Sequence, residues 1–552
     1  MRIVACSGGV QIGAKRRESE AVKTKAVRYV AWTLASFALL KAGTAFAIDQ
    51  FRTPAISVIP VEWHAALDQF RAEISAAPAV VADFTFATQR RLSPLGPRAL
   101  PAFAQLNAVT SPIFPGINRS PVPVLLPFDV AGWLEAGANR MALGVARYQA
   151  DFRPVDFFDA GPSGYDAVFS LEPGAGDGLP QRTFARPIEV QITGSQLIYD
   201  IADPPGGMGE PVKALSAQYP DLRRFIREGY VRYAFTRFGV PYVVSIQCLD
   251  SVPRPRRLAC REAYPVAERF LRALRIAGGQ PSQPRGNILA GFAERPPNYA
   301  SDFTYRPVGD ILARSGPRGQ IGNADLTSYS QIRFPLDAPA FIHSQSFGRR
   351  QSGDSSDRPS GLYPWRDNFC EARSFNVGQC AGGHGHQGQD LRAGACPAPS
   401  DSSNSCDPKQ QPVFAVRDGI LIRARQQQAA TLQVNTLTEH IRFRYMHMNP
   451  ASMDADGVLN GRVVAEGEKI GVVSNYLDHP NGTSRHLHFD VQVFTRDGWI
   501  WVNPYITLVS AYERLIRGRG REIGPLIAAS PIAARTQQDD AIRLDPQEGR
   551  EN

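Results

Sequence analysis

The sequence predicts a chain of two or more domains, in which an α+β region precedes a region organised by β-strands. Its 552 residues are too many for a single hydrophobic core. The segment from His486 to Phe494 alternates polar or ring side chains with apolar ones, which is the two-residue period of a half-buried strand. The region before residue 277 mixes helix and hairpin signals, which is typical of an α+β fold.

Four elements are predicted in the N-terminal region. A proline near the start of a segment or a glycine after its end indicates a helix, and runs of β-branched and aromatic residues around glycine-containing turns indicate hairpins. These signals predict helices at residues 220–228 and 265–276 and hairpins at residues 188–201 and 230–248. No internal repeat of about 20–50 residues is visible in the sequence.

The charge balance is basic, with a formal net charge of +9. Basic clusters with interleaved aromatic residues, which mark nucleic-acid binding, do not stand out, so no nucleic-acid partner is expected. The charge is interpreted as a solvated surface or as a mild affinity for an anionic cell wall.

Residues 1–47 are a predicted signal-peptide region. A positive stretch, an apolar run too short to span a bilayer and a small-x-small cleavage motif follow one another: Lys23 to Arg28, Tyr29 to Leu40 and Ala45 to Ala47. We expect cleavage after Ala47 and export to the periplasm or the medium. No other run approaches membrane length, so we expect no transmembrane anchor in the mature chain.

Six of the seven cysteines remain after removal of the signal region, and they fall as neighbours in the sequence: Cys248 with Cys260, Cys370 with Cys380, and Cys396 with Cys406. Six cysteines permit many pairings, but an even number, export and short spacing favour three short-loop disulfides. The alternative of a cysteine zinc site lacks any Cys-x-x-Cys motif.

Two short histidine motifs are the strongest chemical signal. The first runs from His386 to Asp390 and the second from His486 to Asp490, with His447 between them. Two imidazoles and a carboxylate are enough to hold a zinc ion with one coordination position open, and two further histidines can then move protons. This set of residues is typical of a hydrolytic metal site.

Local conformation decides how these motifs can meet. On a strand, His486 and His488 share one face about 7 Å apart, so one imidazole can bind a metal while the other reaches a reacting atom. Gly388 argues against a helix interior, which places the first motif on a loop or at an extended strand entry that crosses the face of the strand carrying His488. A His-x-His pair alone decides little, because the chain carries a second one, His384-Gly385-His386.

Taken with their surroundings, the motifs resemble those of the lysostaphin-type zinc metallopeptidases, a family of peptidoglycan endopeptidases. The resemblance covers roughly residues 336–510, and two cysteine-bearing insertions that flank the first ligand motif are expected to line or cover the cleft. The matching segments run in order: Ser344–Arg349, His386–Asp390, Pro412–Ile420, Tyr445–Met448, Val464–Gly471, His486–Asp490 and Val502–Pro504.

The resemblance implies a mainly antiparallel β catalytic domain of the lysostaphin type, also described as a duplicated hybrid motif. It implies that His386, Asp390 and His488 are the zinc ligands. It gives His447 and His486 the catalytic roles of holding or deprotonating the attacking water and stabilising the oxyanion. Because no His-Glu-x-x-His helix is present, a histidine rather than a glutamate must act as the base.

The predicted organisation has five parts. Residues 1–47 are the signal region, 48–277 an α+β domain without an assigned family, 278–335 a linker and connecting segment, 336–515 the zinc metallopeptidase domain, and 516–552 a poorly ordered tail. The predicted function is a secreted zinc endopeptidase that hydrolyses peptide cross-links in bacterial peptidoglycan, so its partners are stem peptides or cross-bridges. The N-terminal domain is expected to regulate or anchor the enzyme, with a regulatory partner as one possibility.

Two rival functions remain open from the sequence. The first is a non-catalytic activator or binding protein with the same fold, although such proteins typically lose ligands and all five key positions are filled here. The second is a general secreted metallopeptidase. Among the other histidines, His384 could compete for metal or bind substrate; the rest are interpreted as surface or core polar groups: His64, His343, His440 and His479.

Overall fold

The computed structural model describes most of the chain between the predicted signal region and residue 516. The predicted signal region, Cys396, Cys406 and the tail beyond residue 516 lie outside the described residues. The described ranges are residues 53–75, 99–128, 149–171, 187–201, 209–248, 258–281, 325, 327–336, 340–342, 367–393, 411–475 and 486–516.

Residues 53–281 form an α+β region. Its helices are α1 (Trp63–Ser75), α2 (Ala99–Thr110) and α3 (Ala263–Ala273). Its strands are β1 (Ile56–Val58), β2 (Val124–Leu126), β3 (Arg153–Gly161), β4 (Gly164–Leu171), β5 (Ile188–Ser195), β6 (Leu197–Tyr199), β7 (Glu210–Pro211), β8 (Arg223–Arg227), β9 (Tyr230–Arg237), β10 (Val240–Gln247) and β11 (Arg275–Gly278).

Seven of these strands make one antiparallel sheet in the order β3-β4-β5-β10-β9-β8-β7, while β1 pairs with β6 and β2 with β11. The central strand β10 is buried along almost its whole length because both of its faces are covered. Val244 and Ile246 face a core shared with the helices, whereas Val243 packs against Phe494 and Trp499 of the C-terminal region.

The C-terminal region is mainly antiparallel β. Its helices are α4 (Pro450–Ala455) and α5 (Tyr505–Ile516). Its strands are β12 (Ala340–Ile342), β13 (Gln389–Ala393), β14 (Pro412–Phe414), β15 (Gly419–Ile422), β16 (Ala430–Asn435), β17 (His440–Met446), β18 (Val463–Val464), β19 (Lys469–Val472), β20 (Leu487–Thr495) and β21 (Gly498–Val502).

An eight-stranded sheet runs β12-β13-β20-β17-β16-β15-β18, with β21 also paired to β20, and β14 pairs with β19. Strand β20 confirms the strand predicted here and its inward apolar face, because four side chains of that face are fully buried: Leu487, Phe489, Val491 and Val493. It is not half-buried, since His488, Asp490 and Phe494 on the other face are buried as well. The predicted antiparallel β fold of this region is therefore present. The proposed domain boundaries remain a prediction.

The two sheets meet across a buried polar cluster centred on Asp166. Its carboxylate accepts from Arg442 at 3.0 Å and from Gln433 at 2.9 Å, and it lies 2.7 Å from Nε2 of His440. The Nδ1 atom of His440 lies 3.0 Å from the hydroxyl of Ser195. Since Asp166 and Ser195 belong to the N-terminal sheet and the other three to the C-terminal sheet, the cluster joins the two regions.

Two predicted elements in the N-terminal region are confirmed and two are wrong. The hairpin at 230–248 is β9 and β10, and the helix at 265–276 is α3, which ends earlier and is followed by β11. The segment predicted as a helix at 220–228 instead contains β8, which pairs with β9 residue for residue. Positive φ angles at Glu228 and Gly229 make the tight turn between them, so strand pairing overrides local helix propensity.

The predicted hairpin at 188–201 does not form. Strand β5 continues through Gly194, where a Cβ atom would lie 2.5 Å from the ring of Tyr242, so the absence of a side chain lets the ring pack there. Strand β6 then pairs with β1 and not with β5.

Two of the three predicted disulfides are present. Cys248 is bonded to Cys260 and Cys370 to Cys380, with Cα atoms 4.8 and 5.2 Å apart. The second closes a loop that lies next to the first histidine motif. Within the described part of the chain, no helix has the length and apolarity that a bilayer crossing requires.

Candidate metal centre

Three neighbouring strands bring the histidine motifs together. Strand β13 pairs with β20 so that Asp390 stands opposite His488, and on the other side of β20 Met446 of β17 stands opposite His488. His447 follows directly after β17 with a φ angle of 65°, which turns the chain out of the sheet. The first motif therefore enters the sheet as a strand next to β20. The expectation that it crosses the face of that strand was wrong.

Three side chains converge on one point. The Nε2 atom of His386 lies 3.0 Å from Nδ1 of His488. The Oδ1 atom of Asp390 lies 3.2 Å from the former and 3.1 Å from the latter. These three atoms form a nearly equilateral triangle of potential ligands. All three side chains are buried.

The triangle fits a tetrahedral zinc ion. Zinc bonds of 2.0–2.1 Å in a tetrahedron place ligand atoms about 3.3 Å apart, close to the separations in this triangle. The second oxygen of Asp390, Oδ2, is buried without a hydrogen-bond donor among the described residues. A buried carboxylate surrounded by imidazole nitrogens lacks a fixed positive charge, and a bound cation supplies one.

The outer nitrogen of His386 is fixed by residues that lie just before the disulfide-closed loop and at its start. Its Nδ1 atom lies 3.0 Å from the backbone carbonyl of Asn368, so Nδ1 carries the hydrogen and Nε2 keeps its lone pair for a metal. Two backbone hydrogen bonds join the same loop to this residue: Cys370 N–H donates to the carbonyl of His386, and His386 N–H donates to the carbonyl of Glu371. The loop thereby sets both the position and the tautomer of the ring.

Gly388 makes the approach of the first motif to β20 possible. A Cβ atom at this position would lie 2.3 Å from the carbonyl oxygen of Phe489 and 2.9 Å from Nε2 of His488. Any side chain would push the first ligand segment away from the second, so glycine is required here by close packing.

The outer nitrogen of His488 is held by Asp490. Its Nε2 atom lies 3.3 Å from Oδ2 of Asp490, which also accepts from Arg444 at 2.7 Å, while Oδ1 accepts from the indole N–H of Trp501 at 3.1 Å. Burial alone would lower the pKa of His488, but the carboxylates of Asp390 and Asp490 raise it. The carboxylate of Asp490 thus makes this ring more basic, and a more basic ring is a stronger metal ligand once its proton has been displaced.

His447 and His486 lie beside the triangle. Their ring centroids are 4.7 Å apart, and Nε2 of His486 lies 3.2 Å from Oδ1 of Asp390. The pKa of His447 is well below its ordinary value, because burial penalises the imidazolium and because His486 and His488 are close. A neutral ring at this place can accept a proton.

The carboxylate of Asp390 is correspondingly acidic. Burial by itself would raise its pKa, but the adjacent rings of His386 and His486 hold it well below the usual value. Asp390 is therefore ionised across the neutral range and available as a ligand.

All five residues singled out from the sequence are thus brought together: His386, Asp390, His447, His486 and His488. His384 is not part of the three-residue cluster; it forms an isolated bridge with Asn376 in the disulfide loop. Sequence reasoning missed the supporting roles of Asn368, Asp490 and Arg444. Asp490 was visible in the second motif, but nothing local marks a backbone carbonyl or an arginine on a neighbouring strand.

The chain is similar, over part of its length, to solved peptidase structures. One is a LytM protein from Ruminococcus gnavus described as a glycyl-glycine endopeptidase, at 21% identity, covering 24% of this chain and 49% of that chain, with a TM-score of 0.18. Another is the antimicrobial peptidase lysostaphin from Staphylococcus simulans, at 23% identity, covering 24% of this chain and 45% of that chain, with a TM-score of 0.16. The chain resembles lysostaphin-type peptidases. It spans about half the length of the solved structures it matches. No protein-family model and no curated protein sequence matches it.

Proposed function

We propose that this protein is an exported zinc endopeptidase that hydrolyses peptide cross-links in bacterial peptidoglycan. The observation that carries the proposal is the convergence of His386, Asp390 and His488 on one point, with His447 and His486 next to them. Two nitrogens and one carboxylate oxygen are a typical donor set of catalytic zinc sites. The order of motifs along the chain, which resembles that of lysostaphin-type enzymes, supports peptidoglycan as the substrate.

In this proposal, the zinc would be held by His386 Nε2, Asp390 Oδ1 and His488 Nδ1. When bound, zinc acts as a Lewis acid and lowers the pKa of water towards neutrality. We assign the proton acceptor to His447, because its ring lies beside the ligand triangle, with its centroid 6.0 Å from that of His488 and 4.7 Å from that of His486. His486 stands next to it and donates to the oxyanion that develops on the substrate carbonyl.

Export is the second part of the proposal. A signal-like N-terminal segment and the disulfides Cys248–Cys260 and Cys370–Cys380 support an oxidising compartment outside the cytoplasm. The periplasm or the medium is where peptidoglycan is accessible.

The test is digestion of purified cell walls by the mature protein, followed by mass spectrometry of the released fragments. We expect cross-linked fragments to be cut within their peptides, a chelator to stop the reaction and added zinc to restore it. Denatured casein is the comparison substrate.

Each outcome separates the rivals. Cleavage of casein and not of cell wall would replace the proposal with a general metallopeptidase. Zinc-loaded protein that leaves both substrates intact but binds cell wall would replace it with a non-catalytic binding protein.

A further inference from the structure

Glu228 is a buried acid that belongs to the N-terminal region and contacts the C-terminal one. It occupies the turn between β8 and β9 with a φ angle of 55°, and its side chain is completely buried. Arg232, four residues later, lies 3.1 Å from its Oε2 atom and is itself 3% exposed. Arg232 also donates to the backbone carbonyl of Trp499 in β21. The ion pair is thus enclosed between the two regions.

The other carboxylate oxygen of Glu228 accepts from two backbone amides of the C-terminal region. One is the N–H of Gly378, at 3.4 Å, and the other is the N–H of Trp501, at 3.3 Å. Both distances are at the long end for a hydrogen bond, so the carboxylate acts here by attracting the two N–H dipoles at once. One oxygen atom of Glu228 therefore contacts two separate segments of the C-terminal region, at Gly378 and at Trp501.

The first segment leads to His386. Gly378 lies in the loop closed by Cys370–Cys380, which packs with the ring of Trp501 in a small apolar cluster. The residues just before and within this loop supply the contacts on His386: the Asn368 carbonyl at Nδ1 and the backbone bonds of Cys370 and Glu371. We therefore expect a displacement of the loop to shift His386, the first zinc ligand of the proposal.

The second segment leads to His488. Trp501, whose backbone N–H Glu228 accepts, donates its indole N–H to Asp490 at 3.1 Å. Asp490 in turn holds the outer nitrogen of His488 at 3.3 Å. The partners of both ligand histidines are thus supported by segments that the same glutamate holds.

We propose that Glu228 is a positioning residue for the zinc centre, so that the N-terminal α+β region is part of the support of the metal site. This inference rests on the proposed zinc function. It assigns to the N-terminal region a role that neither a spacer nor a detachable anchor provides.

The test compares Glu228→Gln with the matched change Glu210→Gln in the full mature protein. Glu210 lies on β7 of the same sheet, is paired with Arg224 and has a side chain that is 75% exposed. Zinc affinity is measured by competition with a chelator, and hydrogen exchange is followed in the metal-free protein. We expect Glu228→Gln to weaken zinc binding about 10-fold, the lower end for partners of metal ligands. We also expect faster exchange at Gly378 and Trp501, with Glu210→Gln unchanged in both measurements.

Because Glu228→Gln leaves Arg232 without its charged partner, Glu228→Asp is the second variant. It keeps the charge beside Arg232 but is one methylene shorter and does not reach both amides, so it too should weaken zinc binding and speed exchange. Folded Glu228 variants that bind zinc as tightly as Glu210→Gln would overturn the inference and leave the proposed function standing. A wild-type protein that binds no zinc would refute the proposed function itself.

Discussion

The described part of the chain contains two buried histidine–aspartate clusters, and they differ in how their charge is balanced. At the contact between the two sheets, Asp166 is held by the permanently charged Arg442 as well as by His440. At the candidate metal centre, the histidines surround Asp390, and among the described residues no lysine or arginine is paired with it. The first cluster thus contains a permanently charged side chain, whereas the carboxylate of the second is paired only with histidines among the described residues, which suits a metal ion as its counter-charge.

The comparison teaches that residue types alone do not define a catalytic site. Ser195, His440 and Asp166 have the composition of a hydrolase triad, and His440 lies within hydrogen-bonding distance of both other residues. However, the hydroxyl of Ser195 is within hydrogen-bonding distance of the backbone carbonyls of Ser163 and Leu197, so it can donate its hydrogen to the backbone and not to His440. The pKa of Asp166, which burial would raise, is lowered by His440 and Arg442. This cluster joins the two regions of the chain.

Removal of the N-terminal region should have the largest effect, because it removes one half of the Asp166 cluster and leaves the metal centre in the remaining fragment. A fragment of residues 336–515 leaves His440 and Arg442 without Asp166 and uncovers Phe494 and Trp499. Because buried charges without partners and exposed aromatic side chains both destabilise, we expect the fragment to lose cooperative unfolding. Thermal unfolding followed by circular dichroism checks this. A fragment that melts like the full chain would show that the two regions are independent.

The contribution of the buried polar cluster around Asp166 to stability is tested by Asp166→Asn. Since this change leaves Arg442 buried without its carboxylate, we expect a loss of about 3–5 kcal/mol in the free energy of unfolding. The matched control is Asp159→Asn, because Asp159 is buried nearby but accepts from the neutral amides of Gln433 and Asn435. Urea denaturation measures both. Equal losses of unfolding free energy in the two variants would show that the ion pair of Asp166 with Arg442 does not stabilise the protein more than the neutral contacts of Asp159 do.

The catalytic histidines are tested by His447→Ala and His486→Ala. Both should keep zinc and lose about 10²-fold or more in turnover, the scale for general acid–base groups. His64→Ala, on the exposed side of α1, is the control and should behave like wild type. Normal turnover in either site variant would remove that residue from the mechanism.

The smallest expected effect concerns the residue that orients a ligand. Asp490→Asn should weaken zinc binding about 10–100-fold, because His488 loses the carboxylate that fixes its outer nitrogen. Asp456→Asn, at a half-exposed position paired loosely with Lys469, should leave zinc affinity unchanged. Chelator competition distinguishes the two variants, and equal affinities would contradict the role of Asp490.

Sequence patterns predicted the fold where a strong local signal existed. The alternation in β20 and the turn between β9 and β10 are carried by neighbouring residues, so they could be read directly. The helix predicted at 220–228 failed because the pairing of β8 with β9 decides the conformation there. Strand β6 was placed with the wrong partner because β1 lies far away in the sequence.

At the candidate site too, the sequence revealed the residues that stand in local motifs and not their partners from distant segments. The five histidine and aspartate residues stand in short motifs, and their order along the chain made them recognisable. The partners that hold them come from distant segments: Asn368 from an insertion, Arg444 from β17 and Glu228 from the N-terminal region. Nothing near these residues in the sequence marks such contacts, since they arise only when the strands are assembled.

The central claim is that the second cluster is a zinc site and the first is not, and metal analysis of purified variants tests it most directly. We expect about one zinc per chain in wild type and in folded Asp166→Asn, and a loss of zinc with no hydrolysis in His386→Ala, Asp390→Ala and His488→Ala. Full zinc occupancy in the three ligand variants, or loss of zinc only in Asp166→Asn, would contradict the account.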